Sequence, residues 1–202
     1  MPTLIRSLVI IGALLAPAAA AEYEAHVYFG ASYPVGEIED YATTGYNFGI
    51  GGVASGGTLG LRWDIGFDFR DAQEGAFDSR IVDDGSINST YFRIGPQLNF
   101  GGEDTSFYLN AMAGYYWTYA YISQYATVPG IICDPFWGWC WTVPVAGEYI
   151  LADRNQEDWG LSATVGVEFE TIGGSWFIEM QYHYAQQGEG YQFVPVVVGI
   201  RW

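Results

Sequence analysis

At 202 residues the chain has room for a short leader and one domain. Half of it is hydrophobic and 18% aromatic, with 23 acidic residues against 7 basic, all arginine, and a formal net charge of −16. That balance excludes a nucleic-acid binder, which needs basic side chains for phosphates. It also excludes a soluble domain held to an anionic surface by a basic patch.

Residues 1–21 read as a secretory signal peptide: Arg6 supplies a positive start, Leu8 to Leu15 an apolar core, and Ala18 to Ala21 small-residue cleavage frames. A retained membrane anchor is the alternative, and the apolar run is short for one. Removing Arg6 with the leader leaves 6 basic against 23 acidic residues, a net charge of −17. The domain then spans residues 22–202.

Glu22 to Ser32 alternates, with Tyr23, Ala25, Val27, Phe29 and Ala31 on one face. An acidic loop follows, then a glycine-rich strand from Tyr46 to Val53 and a tight turn at Ser55-Gly56-Gly57. Thr58 to Asp71 is the clearest strand. Leu59, Leu61, Trp63, Ile65, Phe67 and Phe69 share a face, and Gly60, Arg62, Asp64, Gly66, Asp68 and Arg70 share the other. A second acidic loop is expected over Ala72 to Ser86, then strands over Ile87–Phe100 and Thr105–Tyr121, joined at Gly101–Asp104. Ile122 to Asp158 is expected to be the longest connection. Strands over Trp159–Glu170, Trp176–Tyr184 and Val194–Trp202 complete the count, with a turn at Thr171–Gly174 and a glycine link at Gly188 and Gly190.

These are eight strands whose even-numbered connections are short and odd-numbered ones mostly long. The pattern predicts an all-β, eight-stranded, antiparallel, up-and-down transmembrane barrel. Open sheet edges cannot stand in hydrocarbon, so the sheet must close. The apolar face should point outward, since the other is rich in glycine and short side chains that suit a narrow lumen. Trp and Tyr recurring on the apolar face fit interfacial girdles. A soluble ligand-binding barrel would reverse the faces. Pro96 and Pro195 each remove a ladder donor, so each should bring a bulge or an unpaired carbonyl.

With these features the chain resembles the small outer-membrane β-barrel family, the opacity-type and OmpA- or OmpX-like eight-stranded proteins. GLRWDIGFDFRD at Gly60–Asp71, YFRIGPQLNF at Tyr91–Phe100 and the closing VVVGIRW at Val196–Trp202 carry the resemblance. It implies a bacterial outer-membrane location, contact with lipopolysaccharide and other membrane lipids, insertion by the barrel-assembly machinery and a monomeric barrel. The family usually ends in phenylalanine; here the last residue is Trp202. The resemblance specifies architecture and leaves activity open.

Some barrels of this kind deacylate lipid A with a His-x-Ser-Asn motif. Here His183-Tyr184-Ala185-Gln186 occupies a similar place, and alanine cannot attack an ester. No catalytic residue, metal site or cofactor is expected, and His183 is read as a hydrogen-bonded lumen residue. Arg62, Asp64, Arg93 and Glu179 should pair at middle depth, and Arg201 should pair with Glu24 beside Glu168 near the periplasmic end. Buried charges must be paired, so a static plug is expected; a gate opening a small pore is the alternative. Asp78, Asp83 and Asp84 lack an ordered calcium-loop spacing. In the third outer loop, Cys133 and Cys140 should form a disulfide in an oxidising compartment. That bridge would display Phe136, Trp137 and Trp139 as a candidate binding tip, the alternative being that the rings pack onto the barrel rim or into the outer leaflet's interface. The expected role is a non-catalytic surface protein for envelope integrity, adhesion or partner binding. A small ion or solute channel is the alternative, and a lipid A-modifying enzyme is the remotest.

Overall fold

The computed structural model describes residues 22–73, 84–102, 104–133, 140–186 and 190–202. The leader and the Phe136–Trp139 tip therefore lie outside the described residues, as do Asp78 and Asp83. Eight strands run in chain order around a closed barrel: β1 Glu22–Pro34, β2 Gly45–Ser55, β3 Leu59–Asp71, β4 Asp84–Gly101, β5 Thr105–Cys133, β6 Cys140–Thr171, β7 Gly174–Ala185 and β8 Tyr191–Arg201. Every neighbouring pair is antiparallel, and β8 closes on β1 from His26↔Arg201 to Pro34↔Phe193. Ala25 and Trp202 extend that seam by exchanging backbone hydrogen bonds of 2.9 and 3.0 Å. This is the barrel that the alternation demanded, with the first and last strands meeting so that neither keeps a free edge.

The apolar face points outward. On β3, Leu61, Trp63 and Phe69 are exposed while Arg62, Asp64, Asp68 and Arg70 are buried in the lumen. Every other strand carries exposed apolar side chains, among them Phe29, Ile50, Ile94, Leu109, Leu161, Ile178 and Val198. A soluble ligand-binding barrel, with its apolar face inward, is thereby ruled out.

Two expected loops are partly strand. The connection placed over Ile122–Asp158 is instead a long hairpin, with β5 and β6 paired from Thr105↔Phe169 to Cys133↔Cys140. A bulge at Ile122/Ser123 explains why alternation missed it, because one extra residue swaps the faces of all that follows. The hairpin also outruns its neighbours: β4 reaches β5 only as far as Asp84↔Ser123, and β7 reaches β6 only as far as Gly160↔Ala185. Beyond those points β5 and β6 pair only with each other. Likewise β4 begins at Asp84 rather than Ile87, and the first loop contains a 3-10 turn at Gly36–Asp40. Both prolines interrupt a ladder as expected. The β4–β5 pairing skips from Ile94↔Ala113 to Gln97↔Asn110, and β7–β8 skips from Met180↔Val196 to His183↔Phe193.

The lumen holds two aromatic clusters: Tyr28, Tyr108, Phe177 and Val197 form one, and Tyr91, Tyr116, Ala185, Tyr191 and Phe193 the other. Four of these seven large rings lie over a glycine in register with them on a neighbouring strand. Tyr28 stands opposite Gly49, Tyr91 opposite Gly66, Tyr108 opposite Gly166 and Phe177 opposite Gly199. A methyl group on any of these glycines would sit 2.2–2.3 Å from the nearest atom of the facing aromatic side chain. The glycines are therefore sockets for rings, and they let eight strands enclose so much aromatic volume.

Candidate functional site

The most ordered polar structure is the lumen network. β3 supplies two arginine–carboxylate pairs on one inward face at i, i+2 spacing, Arg62 with Asp64 and Asp68 with Arg70. Arg62 donates to both oxygens of Glu179 on β7, at 2.8 and 3.0 Å, and its Nε donates to Asp64 at 3.1 Å. Arg93 on β4 reaches the other Asp64 oxygen at 2.8 Å. His26 Nε2 donates to Asp64 at 2.7 Å, and Tyr108 donates to Glu179 at 2.6 Å. Arg93 also donates to Gln181 at 2.6 Å and to His183 Nε2 at 3.0 Å, and His183 Nδ1 lies 3.0 Å from the Tyr116 hydroxyl. Two guanidinium and two carboxylate charges thus offset one another in a site with no exposed side-chain surface. Each ion has several partners, the condition for holding charge out of water.

Two smaller groups flank this centre. Toward the outer end, Arg70 pairs with Asp68 and donates to Ser32 at 2.9 Å, with its guanidinium 5.1 Å from the centroid of the Phe193 ring. Asn47 donates to Asp68 and accepts from Tyr91 at 3.0 Å, tying this group to the centre. Beside the turn-bearing strand ends, Arg201 pairs with Glu168, which also accepts from Ser175. Glu24, expected as the main partner of Arg201, stands 3.9 Å away and is 40% exposed. The closing strand therefore leans on β6, past the short Ser175 of β7, more than on its neighbour β1. The barrel's curvature brings β6 and β8 together, and strand order alone could not indicate it.

Sequence reasoning named Arg62, Asp64, Arg93 and Glu179, and the structure brings all four together. It left out Asp68, Arg70, His26 and Gln181. The first two were legible, since they repeat the Arg62–Asp64 spacing on the same face. His26 and Gln181 carry no signal until register sets them beside Asp64 and Glu179. His183 is fully buried among Arg93, Gln181 and Phe193, and Ala185 is buried in the same cluster. Among the described residues, Asn110 and Thr164 hold buried polar atoms with no protein partner, as does Gln97 Oε1. Gln97↔Asn110 and Asn110↔Thr164 are register partners, so this is the least tightly bonded part of the filling.

At the outer end, register sets Cys133 opposite Cys140, and among the described residues no cysteine is free. Lower on the hairpin Tyr115, Trp117 and Trp159 form an edge-to-face cluster, and Tyr115 donates to Glu157 at 2.9 Å.

No protein-family model matches the chain, and no curated protein is similar to it in sequence. Solved structures are. Neisserial surface protein A, from Neisseria, superposes with a TM-score of 0.58 at 12% identity, over 90% of this chain and 97% of that one. Ail, the attachment invasion locus protein of Yersinia pestis, solved with the heparin analogue sucrose octasulfate, superposes with a TM-score of 0.50 at 12% identity, over 90% and 99%. The fold is that of the small outer-membrane barrels. At this identity the likeness speaks for architecture, and the role must come from this chain's own residues.

Proposed function

We propose that this protein is a non-catalytic barrel of the bacterial outer membrane that presents the β5–β6 hairpin to the surroundings for adhesion or partner binding. The observation that carries this reading is a contrast within one molecule. The lumen is filled by paired charges and ring-over-glycine packing, while β5 and β6 run on for some ten and twenty residues past the ends of their other neighbours. Lipopolysaccharide and other membrane lipids are its surroundings, and the barrel-assembly machinery its partner during insertion. The barrel is read as a monomer delivered by its leader. A disulfide between Cys133 and Cys140 would staple the hairpin tip and display Phe136, Trp137 and Trp139.

The ligand should differ in charge from the sulfated sugar bound to the Yersinia protein. Four of this chain's seven arginines, Arg62, Arg70, Arg93 and Arg201, are sealed in the lumen. Described acidic residues of the outer end include Glu39, Asp40, Asp71, Asp153 and Glu157. That surface repels polyanions and favours a neutral or cationic partner. A catalytic role is disfavoured because Ala185 stands where a nucleophile would be needed and His183 is shut away from lipid. The channel reading rests on the polar atoms of Asn110 and Thr164, unpartnered among the described residues.

The test is attachment to host cells or immobilised glycans by bacteria displaying the protein. Changing Trp137 and Trp139 to alanine should abolish attachment and leave the folded barrel intact. Attachment that survives both changes refutes the hairpin as the binding element. Steady single-channel currents from the purified barrel would favour the channel instead.

A further inference from the structure

The wall of the barrel has a dent. Register lines up two rows of outward-facing residues across four strands: Ile94–Ala113–Leu161–Tyr184 and Pro96–Ala111–Ala163–Tyr182. Three of the four residues in the middle of these rows are alanine. Ala111, Ala113 and Ala163 form the floor, and Ile94, Leu161 and Tyr182 rise beside them as walls. The groove measures ≈ 660 Å³, within the usual size of a ligand cleft, roughly 300–1,000 Å³.

The proline break lies in the floor. Asn99 donates its backbone N–H to Thr58, the residue before β3. Ladder bonds alternate sides along a strand, so the nitrogen of Pro96 faces β5, opposite Ala111. Proline has no N–H, and the β4–β5 ladder omits Gly95 and Pro96. A missing ladder bond and small side chains therefore coincide at one place.

Depth fixes the chemistry of the occupant. Ala111 is six residues above the start of β5. At ~3.3 Å per residue and a tilt near 40°, it lies about 15 Å above the turn, midway through the apolar belt. Lipid headgroups do not reach that depth. A second barrel is a poor occupant as well: its wall is convex, it would rest on Ile94, Leu161 and Tyr182, and it would leave the floor empty. A stable protein interface also needs roughly 1,000 Å² of matched surface. A flexible hydrocarbon chain can enter and recover the dispersion contacts that an empty groove forfeits.

We propose that this groove is a binding site for one acyl chain of a membrane lipid, which it holds as a slowly exchanging ligand. The proposal rests on the barrel lying in a bilayer, and the test separates the two claims. The purified protein is reconstituted in nanodiscs of phosphatidylcholine and released into a native mass spectrometer. Wild type should keep one phospholipid per barrel under activation that strips the rest. Ala163→Phe fills the groove and should lower the singly lipidated species by on the order of tenfold. Ala25→Phe, on the same outer surface near the β1–β8 seam, should leave it unchanged. Equal retention by wild type and Ala163→Phe overturns the site, as does equal loss in both variants or absence of bound lipid on wild type. A dimer mass that Ala163→Phe abolishes overturns it in favour of a second copy. A barrel that remains folded in the nanodisc while losing its lipid keeps the membrane reading intact in each case.

Discussion

Replacing Arg62 tests whether the lumen is held by mutual charge pairing. Arg62→Met leaves Glu179 without its two guanidinium bonds and Asp64 without one of its donors. Both carboxylates keep other partners: Tyr108 and Gln181 on Glu179, Arg93 and His26 on Asp64. Breaking a buried pair from one side costs about 3–5 kcal/mol, and the surviving donors put this site near 3. Glu179→Met strands one end of Arg62 and should cost a similar ~3 kcal/mol. The double variant removes both charges together. What remains is a Tyr108 hydroxyl without its acceptor and some lost packing, again about 3 kcal/mol. The two changes should therefore be coupled by about 3 kcal/mol, the upper end of what touching residues show. Urea unfolding in phosphatidylcholine vesicles, followed by tryptophan fluorescence and by the heat-modifiable band on gels, measures all four corners of the cycle. Single losses that add within ~0.5 kcal/mol in the double variant would refute the pairing argument.

Glu168→Gln should destabilise the barrel more than Glu24→Gln, because Arg201 leans on Glu168 and Glu24 is half open to water; the same unfolding assay decides it, and the reverse order contradicts the geometry. Gly66→Ala should cost about 1–3 kcal/mol through overpacking against the Tyr91 ring, with partial rescue by Tyr91→Leu; an unrescued loss would place the strain elsewhere. Thiol labelling of the folded, unreduced protein should find no free cysteine, and reduction should loosen the hairpin tip by roughly 2.5 kcal/mol, the entropy of closing a loop of about eight residues. A free thiol in that assay excludes the staple.

The period-two pattern determined the strand count, the closure and the outward apolar face, because alternation is a local property and membrane solvation leaves one way to satisfy it. The four central charges were legible for the same reason: Arg62 and Asp64 sit two apart on a face that must be buried, and Arg93 and Glu179 lie on inward faces near them in depth. Register and curvature decided the rest. Tyr28, Tyr91, Tyr108 and Phe177 find their glycine sockets only once each strand is aligned with its neighbour to the residue. Arg201 turns to Glu168 because the curved sheet brings the inward faces of β6 and β8 together over the short Ser175 of β7, a contact that alternation along one strand does not encode. The β5–β6 hairpin stayed hidden because its bulge shifts the phase of the pattern and because its two strands pair out there only with each other. Sequence records which side of a strand is wet or greasy; which side chains meet is a property of the closed barrel.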